Sequence, residues 1–324
     1  MSRFIAPWTL RSYGILGINR RNSRYIARYN PRRLFPLVDN KLKTKLTVHP
    51  AGIPTPAPIG TVAEQSQVAG LSNLLEGHAG FAIKPSKGSG GKGIIVVTGR
   101  DGDEFIKASG ARLTISDLRR DVSNILAGLY SLGGKPDVAI IEELIHADPR
   151  FDRFTVEGVP DIRVIVCRGF PVMAMMRLAT HASDGKANLH QGAVGVGLDM
   201  ATGRALNAVQ FGQTVTQHPD TGQRLDELEV PDWDALLLMA ARCYEVTGLG
   251  YLGTDIVIDR DKGPQLLELN ARPGLAIQVA NGAGLLPRLR RIDDLSDAEL
   301  SAPAEERVRL SQSWFGSVEQ TVQS

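Results

Sequence analysis

Cysteine is almost missing from this chain: Cys167 and Cys243 are the only two in 324 residues. Two thiols, each in an apolar run, cannot build a disulfide framework or a cysteine-ligated metal cluster. Both are expected to be buried and free in a reducing compartment, with a cytoplasmic location. No apolar run approaches the roughly 18 residues of a membrane-crossing helix, so no transmembrane segment is expected. Arg11 interrupts the apolar start of the chain, which argues against a secretory signal, although the Arg-rich, acid-poor beginning resembles an organelle transit peptide. Internal repeats and low-complexity tracts are absent as well. So is a strong net charge: the formal value is +2, which points to no class of partner.

That small sum hides an uneven distribution. Residues 1–45 hold eleven lysines and arginines against one acid, Asp39, while the remainder carries 26 basic and 34 acidic residues. Residues 1–38 therefore read as a basic N-terminal arm with scattered aromatics (Trp8, Tyr13, Tyr25, Tyr29, Phe35). Such an arm suits nucleic acid or acidic lipid, and it also suits packing as a helical extension on the next domain. The helical extension is the preferred reading, and nucleic acid is not an expected partner. After Arg290 the composition turns acidic, so 291–324 reads as a polar tail with one helix.

Between these ends the pattern is mixed. Helices are expected at Asn40–Val48, at Asp117–Tyr130 with Ser116 as cap and Leu118, Val122, Ile125, Leu126 and Leu129 inward, and at Asp232–Val246 ended by Gly248. Strands are expected at Gly80–Pro85, Ile94–Thr98 and Val138–Ile145. A hairpin should turn at Arg168-Gly169, and His181–Gly197 reads as a polar loop. The last hairpin joins Tyr251–Asp259 to Pro264–Asn270 through a four-residue loop, Arg260 to Gly263. Counting outward from Asp259 facing Pro264 puts Asp255 opposite Glu268, with Asn270 on the same face. Two carboxylates and an amide oxygen suit Mg²⁺, and an ordinary acidic surface hairpin is the alternative.

Several familiar motifs are excluded. Gly88-Ser89-Gly90-Gly91-Lys92-Gly93 formally matches the dinucleotide fingerprint, but a strand follows it where that motif needs a helix. A Walker loop needs Ser or Thr where this chain has Gly93, and the chain has no HRD or DFG. No nucleophile–base pair stands out. What remains is a glycine hairpin with Lys87 and Lys92, suited to cradling phosphates. Lys84 stands in an apolar strand, where it either snorkels to the surface or meets a phosphate. Glu142-Glu143 end another apolar strand and point to opposite faces, and Arg163 and Arg177 lie on opposite arms of a hairpin.

The order of these features resembles the ATP-grasp fold, an α+β architecture in which two subdomains clamp ATP. The nearest likeness is to the alpha-L-glutamate ligase branch, related to ribosomal-protein glutamate ligases and bacterial glutathione synthetases, over Asp39 to Pro287. The resemblance implies subdomains at 39–145 and 146–290, with a short arm in place of a full preceding α/β domain. It implies an ATP site of Lys84, Ser86, Lys87, Gly88, Gly90, Gly91, Lys92 and Gly93, with Glu142, Glu143 and Leu144 as the adenine and ribose hinge. It implies Mg²⁺, with Mn²⁺ as an alternative, on Asp255, Glu268 and Asn270. Arg163 and Arg177 would be catalytic, and Asp161, Lys186, Asn188, His190 and Arg272 would face substrate. Lys186 stands where the family has arginine, and Gly192-Ala193 where it has paired glycines. The implied activity is an ATP-dependent carboxylate–amine ligase acting through an acyl phosphate, adding glutamate or a similar amino acid to an amine. A partner subunit or second copy would complete the acceptor site. A phosphotransferase acting on a hydroxyl and a non-catalytic ATP-binding subunit are the rivals.

Overall fold

Two antiparallel sheets contribute walls to a common cleft in the computed structural model, which describes residues 7–317 apart from 89 and 132. The smaller sheet has six strands in the order β1-β6-β2-β3-β4-β5: β1 (Pro58–Val62), β2 (Phe81–Pro85), β3 (Ile95–Asp101), β4 (Glu104–Lys107), β5 (Arg112–Leu113) and β6 (Ala139–Glu143). The larger has seven in the order β11-β10-β9-β8-β7-β12-β13. Its strands are β7 (Asp161–Cys167), β8 (Phe170–Leu178), β9 (Val194–Leu198), β10 (Ala205–Gln210), β11 (Gln213–Thr214), β12 (Tyr251–Asp259) and β13 (Gly263–Asn270). The smaller sheet packs on its own apolar cluster, while the central strands of the larger sheet are buried on both faces, as Val164, Ile165, Val166 and Cys167 in succession on β7 show. The fold is α+β.

Local chemistry explains most element ends. Asn40 caps the helix Lys41–Val48 by accepting from the Lys43 N–H. The helix Ile115–Leu126 is capped by Thr114 in a reciprocal box with Asp117, two residues earlier than the expected cap Ser116. Leu118, Val122, Ile125 and Leu126 face inward as expected, but the helix stops at Leu126 and Leu129 lies outside it, 67% exposed. The helix Trp233–Thr247 ends at Gly248, whose φ of 68° is the left-handed conformation that suits glycine. The β7–β8 hairpin turns at Arg168 and Gly169, both with positive φ, the two-residue turn that matches strand twist. The polar loop is shorter than expected, because Val194 already belongs to β9.

The arm is built into the larger core. Leu16, Tyr25 and Ile26 are buried in its cluster, and Asn30 bridges two backbones by donating to the Tyr251 and Ala271 carbonyls. At the other end, the helix Ala304–Phe315 lies against β8 and the helix Trp233–Thr247, burying Val308 and pairing Arg307 with Glu245. The polar composition of 291–324 concealed that inner face. Residues 1–6 and 318–324 lie outside the described residues.

Candidate active site

The acidic hairpin is the floor of the cleft. Its loop has three residues, because Asp259 faces Gly263. A bulge between Asp255 and Ile256 then shifts the register by one, so Asp255 still lies opposite Glu268. Two departures from the counted register cancel. Asn270 is on the same face and donates to Asp255 Oδ2 at 3.3 Å.

The two strands beside this floor bring arginines to it. β7 sets Arg163 opposite Asp255, and β8 sets Arg177 opposite Asp161. Arg163 holds Asp255 through both oxygens, at 2.6 and 2.5 Å. Arg177 holds Asp161 through both of its oxygens at 2.5 Å and reaches Asp255 Oδ2 at 3.0 Å. The sequence reading gave these guanidiniums to phosphates and Asp161 to substrate. It missed that they first neutralise the two buried carboxylates next to them.

Charge in this four-member network is not shared evenly. Burial raises both carboxyls, but Asp255 has two guanidiniums and an amide donor while Asp161 has chiefly Arg177. Asp255 is therefore held well below the usual carboxylate range by Arg163 and Arg177 despite burial, whereas burial pushes Asp161 from 3.8 up to about 6. The signs are opposite. Asp161 binds its proton more tightly folded than unfolded, so its contribution to stability falls as pH rises from about 4 to about 6. Asp255 contributes stability above the ordinary carboxylate value that is lost as pH falls. Below pH 6 Arg177 loses one charged partner. Turnover is expected to fall about tenfold per pH unit there, and a pH–rate profile of Asp161→Asn should lack that limb.

Across the cleft, the glycine loop is pinned at its base. Asp137 accepts from Ser86 Oγ at 2.5 Å, from Ser131 Oγ at 2.5 Å and from the Lys87 N–H at 3.0 Å. Burial would raise this carboxyl, but those donors keep it below its ordinary value. Lys87 Nζ is turned away onto the Pro136 carbonyl. Gly90, Gly91 and Gly93 take positive φ, and Lys92 is exposed. Gly88, Gly90, Gly91 and Lys92 line a small gap whose opposite wall is Glu268, with Lys41 and Lys84. Ser89 lies outside the described residues.

Lys84 neither snorkels nor points into open space. It pairs with the buried Glu142 carboxylate, one step diagonally across β2 and β6. Lys45 Nζ lies 2.8 Å from the other Glu142 oxygen, off its hydrogen-bonding direction, and donates to the Pro56 carbonyl. The Glu142 side chain is thus a counter-ion to two lysines. Glu143 points the other way onto Lys262 at 2.5 Å, and its N–H is used by the Ala57 carbonyl. Beside it, Glu143, Leu144, His146 and Lys262 line a cavity of about 290 Å³ that suits a heterocycle.

Lys41 and Lys45 were not singled out from sequence. The helix Lys41–Val48 buries Thr44 and Lys45 along with Val48, while Leu46 is 68% exposed. Lys41 donates to the Gly88 carbonyl at 2.7 Å and lies 3.6 Å from Glu268. Lysines four apart lie on one helix face, and that spacing was the available signal.

The expected substrate residues spread along the outer rim. Leu189 packs on Gly195, where a side chain would collide with it, and Gly195 is the β9 neighbour of Arg177. Asn188 Oδ1 caps the short turn at His190. Lys186 pairs with Asp184 at 2.8 Å. Arg272 pairs with Asp39 at 3.2 Å and lies over the Phe35 ring, while Pro273 covers Gly253 on β12. Leu189, His190, Ala193, Phe211, Ala276 and Val279 enclose an apolar groove of about 350 Å³.

Two of the three expected donors, Glu268 and Asn270, fit a hard cation. Glu268 keeps a third of its side chain exposed, and Asn270 points its N–H₂ at Asp255, which leaves its oxygen outward. Asp255 itself has both oxygens occupied by guanidiniums. Among the described residues no group of three or more His, Cys, Asp or Glu is placed to hold a metal.

Comparison with known proteins gives no match among curated proteins. Among solved structures, the ATP-grasp ligase PsnB complexed with minimal precursor is 16% identical at a TM-score of 0.44, over 82% of this chain and 63% of that one. D-alanyl-alanine synthetase A from Vibrio cholerae O1 biovar eltor str. N16961 is 10% identical at 0.47, over 86% and 66%. D-cycloserine synthetase DcsG is 14% identical at 0.49, over 94% and 82%. This chain therefore spans less than two thirds of the PsnB chain it matches. The glutamate-ligase branch is not singled out by any of these. The sequence profile that does match, "Sugar-transfer associated ATP-grasp", runs over residues 20–294 and takes in both sheets, the glycine loop and the acidic hairpin, so the chain belongs to the sugar-transfer associated ATP-grasp family.

Proposed function

We propose that the protein is an ATP-dependent carboxylate–amine ligase. The observation that carries this reading is the pair Arg163 and Arg177, held by buried carboxylates and carried on strands beside the acidic hairpin, whose Glu268 forms one wall of the gap under the glycine loop. ATP would lie with its base beside Glu143 and Leu144 and its phosphates under Ser86–Gly93. The substrate carboxylate oxygen takes the γ-phosphoryl group and releases ADP. An amine then attacks the acyl carbon of that mixed anhydride, expels phosphate and loses a proton to form the amide. Glu268 and Asn270, with Asp255 beside them, would hold Mg²⁺, which supplies charge neutralisation for phosphoryl transfer when bound. Arg163 and Arg177 neutralise charge developing on the transferred group, and their carboxylate partners keep both in place before substrate arrives.

The rim supports a substrate class. The groove beyond Arg177 carries one titratable side chain, His190, among apolar residues, so an aliphatic or aromatic substrate group suits it better than the side chain of glutamate. The family description attaches these proteins to sugar transfer, which favours an amine borne on a sugar as the acceptor. A phosphate-release screen should therefore cross apolar and acidic carboxylates with amino acids and amino sugars. Turnover is expected with an apolar carboxylate, and Glu268→Ala should lower it by at least a thousandfold. Wild-type turnover in Glu268→Ala would remove the proposed cation site. A phosphorylated hydroxyl product without free phosphate would replace the ligase by a phosphotransferase.

A further inference from the structure

The basic arm has an outer face that the cleft does not use. Ile18–Arg20, Arg21–Ile26 and Ala27–Tyr29 run on as one helix with a π-helical middle. Tyr25 and Ile26 are buried on its inner side, while Arg20, Arg24 and Arg28 are exposed at intervals of four. Arg11, Arg32 and Arg33 are exposed on either side of it in the chain. Among the described residues, Arg11, Arg20, Arg24, Arg32 and Arg33 take part in no ion pair. Of two acids beside the arm, Asp39 pairs with Arg272, and Asp293 accepts from the Tyr29 hydroxyl and pairs with none of these arginines. Like charges four apart on a helix oppose its formation, so this row is costly unless an anionic surface meets it. The segment just before the row is also unusual. Trp8 is 75% exposed, Tyr13 69% and Ile18 62%. Exposed Trp, Tyr and aliphatic side chains next to arginines are the composition of a membrane-interface anchor, whereas a nucleic-acid surface would use the arginines without the aliphatic residues. Arg21 ties the helix to the cleft by donating to the Pro273 carbonyl at 2.8 Å.

We propose that this arm seats the protein on an anionic membrane surface, with Arg11, Arg20, Arg24, Arg32 and Arg33 meeting lipid headgroups and Trp8, Tyr13 and Ile18 entering the headgroup boundary. The rim at Arg272–Gly274 then lies beside the membrane, within reach of a lipid-borne substrate. The proposal is independent of the chemistry in the cleft. It is tested by co-sedimentation with phosphatidylcholine vesicles with and without phosphatidylglycerol, and by tryptophan emission. Trp233 is buried and Trp314 half-buried, so the exposed Trp8 reports contact. The wild-type chain is expected to sediment only with the anionic vesicles, to be released by salt, and to show a blue shift that Trp8→Phe removes. Arg20→Gln/Arg24→Gln/Arg32→Gln, all at exposed positions, should keep the wild-type melting temperature and lower partitioning on the order of a hundredfold. A wild-type chain that stays in the supernatant with anionic vesicles overturns the proposal. So does sedimentation without a shift of Trp8 alongside tighter retention of single-stranded RNA, which would make the arm a nucleic-acid surface.

Discussion

Arg177→Ala is expected to lose both turnover and stability, and the two losses can be separated. Arg177 is buried between Asp161 and Asp255, with contacts of 2.5 and 3.0 Å. Without it, two carboxylates on neighbouring strands share only Arg163, and Asp161 keeps no bidentate partner. Removing one member of a buried ion pair costs about 3–5 kcal/mol, read as a lower urea midpoint with an unchanged slope. The destabilisation should shrink below pH 6, where Asp161 takes up a proton in the wild-type protein as well. Replacing a buried pair by apolar residues of similar size is often neutral, so Asp161→Leu/Arg177→Met should recover most of the stability. It should not recover phosphate release, which is expected to stay at least a thousandfold down because no guanidinium faces the transferred group. A double variant that regains turnover along with stability would make Arg177 a structural residue and move the chemistry elsewhere in the cleft.

The same network shows what the sequence discloses and what it hides. Strand alternation placed Asp255, Glu268 and Asn270 on one face, and that face exists. The count succeeded because a shorter loop and a bulge offset each other, and a bulge leaves no sign in a pattern of alternating residues. Arg163 and Arg177 were visible as hairpin residues, but which carboxylates they meet depends on the neighbours β7 takes. β12 arrives beside it from some 90 residues further along the chain. Lys84 is the converse case. The apolar strand around it was legible and left surface or phosphate as the outlets for its charge, yet the counter-ion sits on β6, a strand that composition alone does not pair with β2. Lys45 was hidden for a different reason. No apolar stripe marks an inward face on the helix Lys41–Val48, where Lys45 is buried and Leu46 is exposed. The glycine loop was the easiest feature to find, because positive φ at Gly90, Gly91 and Gly93 is a local property. Sequence thus discloses local conformation and facing, while long-range pairing decides which charges meet.

Glu142→Leu tests the most informative of those pairings. The wild-type carboxylate is 1% exposed and lies against the ammonium groups of both Lys84 and Lys45. Burial already lowers the Lys45 ammonium, and Glu142 opposes that shift. Losing the carboxylate leaves two like charges in a site that excludes water, so about 3–5 kcal/mol of stability should go at neutral pH. A buried ammonium with a depressed pKa becomes easier to tolerate once it is neutral, so the deficit should narrow as pH rises toward the lysine range. Nucleotide distinguishes two roles for Lys84. If its ammonium turns to phosphates when ATP binds, ATP supplies the missing counter-charge, and the rise in melting temperature with ATP–Mg²⁺ should be larger for Glu142→Leu than for the wild type. If Lys84 serves only to neutralise Glu142, nucleotide should raise the variant no more than the wild type. The second outcome would leave Lys41 and the backbone of the glycine loop as the phosphate-binding groups. The comparison needs only thermal melts of two folded proteins, with and without nucleotide, at a pH where both are native.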